Sequence, residues 1–328
     1  MRKFFFGIFV SLGFIILLAY KFDYNEFMRL MKNISYSLIL PALLSQLTGV
    51  IFFSWRWYHL VEKGVSFKHC ISSSFIGYGA NMILPARGGD IFRVFYCRAE
   101  SDMKSFNLLS KLFLEKIIDF VLVILIGVTS FILMGYKEGK SGAGTIFAFS
   151  GIVLIGIFIF VYLFRFQNSF LRKLLNKISN VIGKQEFYIH HIDIHIVDLG
   201  EFLKIKNFIK PLLISLFNWS SYYITYIIAR DMLSLNISIT EIGFILFCGA
   251  MSLAVPSAPS GVGVYHASII SAFIIIGKDA NEGLVYATAL HLISFFALTS
   301  TGLLFYLYWI YRRRNSGKSI SMSENEVI

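Results

Sequence analysis

Charge is scarce in this chain. Of its 328 residues only 15% are Asp, Glu, Lys or Arg, while 56% are hydrophobic and 17% aromatic. An ordinary soluble domain carries roughly a quarter charged residues, so a conventional soluble fold is excluded. Cysteine is scarcer still, with Cys70, Cys97 and Cys248 the whole complement. An odd count with no CxxC pair offers no disulfide framework, and all three lie in or beside apolar segments and read as inert. No Walker motif, GxSxG, HExxH or paired Asp-rich motif is present. Nothing therefore points to ATP use or covalent catalysis. No catalytic residue is assigned, and no cofactor is expected. Short alternating apolar segments are missing as well, which argues against a membrane β-barrel.

What fills the chain instead is long apolar runs, at 4–20, 37–55, 112–135, 145–164, 211–229 and 284–311. At about 1.5 Å per residue these match a hydrocarbon core of about 30 Å, and they predict an all-α integral membrane protein with six crossings. The start, MRKFFFGIFVSLGFIILLAYKFD, has the basic end and apolar stretch of a signal peptide but no clear small-x-small cleavage site. It reads as a retained first helix. The net charge of +11 is a topology signal rather than a nucleic-acid footprint. If the ambiguous stretches 67–98 and 241–277 make no net crossing, one side holds 23 of the 30 Lys and Arg and the other holds 7. Cytoplasmic loops are enriched in Lys and Arg, so both termini are expected in the cytoplasm and the protein in the cell inner membrane. The same excess attracts anionic lipid.

The ambiguous stretches carry breaks. The first contains NMILPARGGDIFR (81–93), with Pro85, Gly88 and Gly89 at its tip; the second contains PSAPSGVG (256–263), with Pro256, Pro259, Gly261 and Gly263. A full crossing at 67–84 would put Arg87, Arg93, Arg98, Lys104 and Lys111 outside, against the charge rule. Proline and glycine break helices, and freed backbone at membrane depth survives only in protein or beside a watery cavity. Two re-entrant helical hairpins are therefore expected, entering from opposite sides. The order helix, helix, hairpin, helix then occurs twice, with an odd number of crossings per unit, which predicts an inverted repeat. Half-repeats of about 1–135 and 145–311 make one transmembrane domain, followed by a polar cytoplasmic tail at 312–328. Interrupted segments in matching positions of inverted halves point to a transporter's binding site. The bland alternative is that proline and glycine simply let helices pack closely.

Candidate chemistry clusters at those breaks. Asp90 and Arg93 are spaced i, i+3 and can pair on a helix face. Arg87 and Arg93 offer planar forks for phosphate, and a Gly88-Gly89 turn before a helix exposes backbone N–H groups to an anion. The competing reading is an interfacial salt bridge with snorkelling arginines. Glu115 and Asp119, spaced i, i+4 in KLFLEKIIDFVLVILIG, can pair with Arg87 or Arg93, relay protons, or form a purely structural ion pair. His266 and His291 in the other half are proton sites or interhelical hydrogen-bond partners. Residues 188–198, YIHHIDIHIVD, gather three His and two Asp. They fit no metal motif and read as an amphipathic segment on the membrane, so no metal is assigned.

The motifs together carry a resemblance. PARGGDIFR (85–93), with Asn81 ahead of it, resembles the first signature of the flippase-like transmembrane domain of lysylphosphatidylglycerol synthases, the UPF0104 family. LEKIIDF (114–120) and PSAPSGVGVYH (256–266) are similar to its acidic and Pro/Gly-rich signatures. The resemblance singles out Asn81, Pro85, Arg87, Gly89, Asp90, Arg93, Glu115, Asp119, Pro259, Gly261 and Gly263. It implies lipid translocation. Many relatives have arginine at Lys116, glutamate at His266 and arginine at His291, so the charge state of that second site differs here. The family's best-known members add a soluble aminoacyl-transferase domain, which the polar tail RRRNSGKSISMSENEVI does not lead one to expect. The expected activity is movement of an anionic phospholipid or a polyprenyl-phosphate-linked glycolipid. The expected partners are membrane lipids with an anionic headgroup or a lipid-linked sugar, not nucleic acid. Two alternatives stay open: a membrane-embedded transferase using a lipid-linked donor, and a non-transporting accessory subunit of a glycosyltransferase.

Overall fold

The structure is a computed structural model that describes residue 32 and residues 34–84, 87–138, 205–253 and 259–316. The expected spans 4–20 and 145–164, the 188–198 loop, Pro85, Pro256 and most of the polar tail lie outside the described residues. Among the described residues there are eight α-helices and no strand. They are α1 (Ile39–Leu60), α2 (Phe67–Ile83), α3 (Gly88–Ala99), α4 (Ser105–Glu138), α5 (Ile205–Met232), α6 (Ile239–Ser252), α7 (Val264–Ile275) and α8 (Ala280–Asn315). Four of them, α1, α4, α5 and α8, are long and apolar enough to cross a membrane.

Each expected break separates two short helices. α3 has 12 residues and α7 also 12, about 18 Å each at roughly 1.5 Å per residue. α2 and α3 run antiparallel side by side: Tyr96 reaches His69 near one end of the pair, and Gly89 lies against Gly77 near the other. α6 and α7 do the same, with Ser268 Oγ donating to the Cys248 carbonyl at 2.8 Å. Local signals set the helix starts. Ser238 and Glu241 form a reciprocal capping box at α6, and Asp279 accepts from the Asn281 and Glu282 amides at the start of α8. These satisfy amides that lack intrahelical partners. Arg312, Arg313 and Arg314 end α8, where positive charge complements the helix dipole.

The packing is reciprocal between the helices of residues 39–138 and those of residues 205–315. α1 lies along α5; α2 of the first hairpin packs on α8, and α6 of the second packs on α4. In turn α3 packs on α4 and α7 on α8. Where α2 meets α8 the backbones touch, because a Cβ on Gly79 would lie 2.7 Å from the Leu298 carbonyl oxygen and 3.0 Å from Gly302 Cα. Small residues permit such approach where packing, rather than water exclusion, holds helices together. Trp57, Leu108, Ile118 and Trp309 centre one buried cluster, and Tyr226, Ile245, Phe273 and Tyr286 another.

The long helices run past the apolar spans read from sequence, and at one end this changes the site. The span expected to stop at residue 55 continues to Leu60, so Arg56, counted there as a loop cation, is a helical residue with no solvent exposure.

Candidate functional site

At the first break the chain passes through Arg87, which caps α3 in a left-handed conformation (φ 55°, ψ 39°). For a residue with a Cβ this conformation is strained, and such strain gathers at functional sites. Directly after it, Gly89 presses on α2: a Cβ there would collide with the Gly77 carbonyl oxygen and sit 2.7 Å from the Asn81 amide nitrogen. Only glycine permits this contact, which sets the hairpin's width.

Asp90 then becomes the hub of the tip. Its carboxylate accepts from Asn81 Nδ2 at 3.1 Å, Arg87 Nε at 3.2 Å and Lys116 Nζ at 2.9 Å. The expected i, i+3 pairing of Asp90 with Arg93 does not form. Arg93 turns inward, donates to Glu115 Oε1 at 2.8 Å, and stacks 4.2 Å from the Trp57 ring and 4.7 Å from Phe53. It is 1% exposed. Of the two partners weighed for Glu115, Arg93 is the one it has.

Asp119 has a different partner from those considered. Arg56 holds it with a two-pronged grip, Nη1 to Oδ1 at 2.6 Å and Nη2 to Oδ2 at 2.9 Å. Trp219 Nε1 also donates to Oδ1 at 3.0 Å. Arg56 further donates to Ser215 Oγ at 2.8 Å and lies 3.9 Å from Glu115. Paired forks of this kind are the strong form of ionic hydrogen bond.

The second break mirrors the first. Pro259–Gly261 makes a tight turn in which Ser260, again not a glycine, has φ 52°; Gly261 and Gly263 follow at φ 74° and 89°. Ser260 Oγ hydrogen-bonds His291 Nε2 at 2.8 Å. His291 stacks on His266 with ring centroids 5.2 Å apart, so the two histidines singled out separately form one pair. Tyr265 and Tyr226 join hydroxyls at 2.9 Å beside them.

The turn at 259–261 packs against α2, which brings the two breaks to one place. Between them is a cavity of about 450 Å³, a size typical of ligand pockets. Arg87, Lys116 and Asp119 line it from the side of the first break, and Ser260, Tyr265 and His291 from the side of the second. Gln46 of α1, Tyr78 of α2, Asn218, Trp219, Tyr222 and Tyr226 of α5 and Ser294 of α8 add to the polar wall. Asn81, Gly88, Gly89, Asp90, Arg93, Glu115, Gly261, Gly263 and His266 are not in its lining; they shape or brace the residues that are. The reading from sequence missed Arg56, Asn218 and Trp219. Asn218 carried a faint signal, a carboxamide inside an apolar span.

No curated protein and no solved structure matches the chain significantly. One family profile does, over residues 4–302, a stretch that contains both breaks, the ionic cluster and every residue lining the cavity. The chain belongs to the lysylphosphatidylglycerol synthase TM region family.

Proposed function

We propose that this protein is a lipid flippase or transporter of the cell inner membrane, moving an anionic phospholipid or a polyprenyl-phosphate-linked glycolipid between leaflets. The observation that carries this is the meeting of the two breaks at one cavity, with Arg87 and Lys116 in its lining. Cavities at broken helices are where transporters place their substrates. An anionic headgroup would meet the half-exposed guanidinium of Arg87 and the ammonium of Lys116, and Arg87 would contribute the fork that fits phosphate. The family relationship points toward membrane lipids in the same direction. The site is proposed to bind and release rather than to react.

In this reading the two hairpins are re-entrant. Their short helices, about 18 Å for α3 and α7, fall well short of about 30 Å of hydrocarbon. The four long helices would be joined by two more crossings outside the described residues, giving six, with both termini cytoplasmic by the Lys and Arg count. The reciprocal packing of each hairpin on the other half's last long helix supports an inverted repeat. The test is reconstitution of the full chain in liposomes carrying fluorescent anionic lipids in one leaflet, with and without a proton gradient. Protein-dependent loss of leaflet asymmetry is expected. Rates equal to protein-free vesicles for every lipid tried would reject transport and leave the transferase and accessory-subunit readings.

A further inference from the structure

The positive charge around the site is unevenly spent. Arg56 and Arg93 are fully buried and face two carboxylates, Asp119 and Glu115. Arg87 and Lys116, the two cations that line the cavity, share the carboxylate of Asp90, with Lys116 also 3.5 Å from Glu115, which Arg93 already engages. Among the described residues four cations thus meet three carboxylates, and the surplus positive charge lies with the pair at the cavity. One negative charge brought in by a ligand completes the balance; a second would be left without a partner in a low-dielectric setting.

Negative groups are spoken for on the protein side too. Asp119 is the one carboxylate among the described residues of the lining, and Arg56 and Trp219 already occupy it. Among the described residues, an ammonium entering the cavity would find Arg87 and Lys116 and no carboxylate that is not already engaged. The other polar groups of the lining are amides, aromatic N–H and O–H groups, aliphatic hydroxyls and one imidazole. Asn218 stands out among them: it is 1% exposed, and its carboxamide oxygen has no hydrogen-bond partner among the described residues. A buried acceptor left unmet is destabilising, so a donor is wanted from the ligand. Trp219 and Tyr222, next to it in the wall, offer apolar ring surface with polar edges, which suits the C–H faces and hydroxyls of a polyol.

Resting on the transport reading, we propose that the cavity selects lipids with a single phosphodiester charge and a neutral polyol headgroup, glycerol or a sugar, and disfavours amine-bearing headgroups, aminoacylated ones included. A site built to hydrogen-bond hydroxyls discriminates strongly because its own groups go unpaired with the wrong ligand. The like charges of Arg87 and Lys116 act against an amine in the same way.

Binding can be read apart from transport. The purified full chain in detergent is offered an equimolar mixture of phosphatidylglycerol, a hexosyl-phosphoryl-polyprenol, phosphatidylethanolamine and lysylphosphatidylglycerol, and the retained lipids are identified by native mass spectrometry. Retention of either polyol lipid over both amine-bearing lipids by roughly tenfold or more is expected. Which of the two polyol lipids dominates identifies the source of the headgroup. Asn218→Leu should shrink that preference several-fold without lowering the total lipid bound, while Arg87→Ala should lower retention of all phosphodiesters. Equal or better retention of lysylphosphatidylglycerol overturns the proposal, as does an unchanged preference in a folded Asn218→Leu variant. If the preference holds but no lipid moves in liposomes, the transport reading fails while the site's selectivity stands.

Discussion

Replacing Arg56 with methionine keeps much of the side chain's length and apolar bulk and deletes its guanidinium. Arg56 has no solvent exposure, and Asp119, its bidentate partner, has 20%. Two magnitudes compete for the expected loss. Removing one partner of a buried ion pair costs about 3–5 kcal/mol, because the other charge is stranded. Polar contacts between membrane helices average only about 0.6 kcal/mol, with a maximum near 1.7. Here the first scale should govern, since Asp119 would keep only Trp219 as donor. Its partial exposure to the cavity places the value at the low end, about 3 kcal/mol. The measurement is reversible unfolding of the purified protein by SDS in mixed micelles. A companion variant, Arg56→Met with Asp119→Asn, removes the stranded charge and keeps an acceptor for Trp219, and should recover at least half of the loss. A single-variant loss under about 1 kcal/mol, or a double variant in which the two losses simply add, would refute the reasoning.

Four further outcomes are expected. Arg87→Ala should abolish lipid movement in liposomes with the protein folded, and Arg87→Lys should rescue it only in part; Arg93→Ala should instead reduce the yield of folded protein, because the fully buried Glu115 then loses its hydrogen bond at 2.8 Å and keeps Lys116 and Arg56 only at 3.5 and 3.9 Å. Gly302→Ala puts a Cβ 2.7 Å from the Phe75 carbonyl oxygen, so α2 and α8 must part and stability should fall by about 1–3 kcal/mol in the same unfolding assay. In a background lacking native cysteines, a cysteine at position 236 or 280 should label with impermeant thiol reagent on intact cells and one at 104 should not; labelling at 104 would sink the re-entrant first hairpin. His291→Gln should flatten any dependence of transport on pH between about 5.5 and 8, where histidine changes charge, and an unaltered profile with normal transport would remove coupling through this residue.

The breaks were legible because proline and glycine inside an apolar run are strong punctuation. Their helices came out close to expectation, α2 and α3 within 67–99 and α6 and α7 within 239–275. What spacing along one strand of sequence could not supply was the partner across the bundle. Arg56 meets Asp119 and Ser215, 63 and 159 positions away, and a cation near a span's end looks like any interfacial anchor. Asp90 and Arg93 had the right spacing to pair, yet Lys116 and Glu115 from α4 offered each a better-placed charge. His266 and His291 were both visible; only packing of α7 on α8 could bring their rings together.

Arg87 and Arg93 lie on the same short segment and take opposite parts, and the difference fixes where ligand binding would be felt. Arg93 shares the Phe53 ring with Arg56, the two guanidinium carbons lying 4.7 and 4.9 Å from its centroid. Glu115 sits between the two guanidinium groups, at 2.8 and 3.9 Å. That arrangement is balanced once Asp119 is counted, and Arg56, Arg93 and Glu115 are buried, with only Asp119 partly open to the cavity, so it resists disturbance. Asp90, by contrast, spreads one carboxylate over Arg87, Lys116 and Asn81. On the transport reading, a phosphate that engages Arg87 and Lys116 competes with Asp90 for the same donors. Asp90 also ties Asn81 at the end of α2 to the start of α3, so that competition acts on the tip of the first hairpin. The turn at 259–261 rests on α2, which gives the tip of the second hairpin a direct contact through which the change would be passed on.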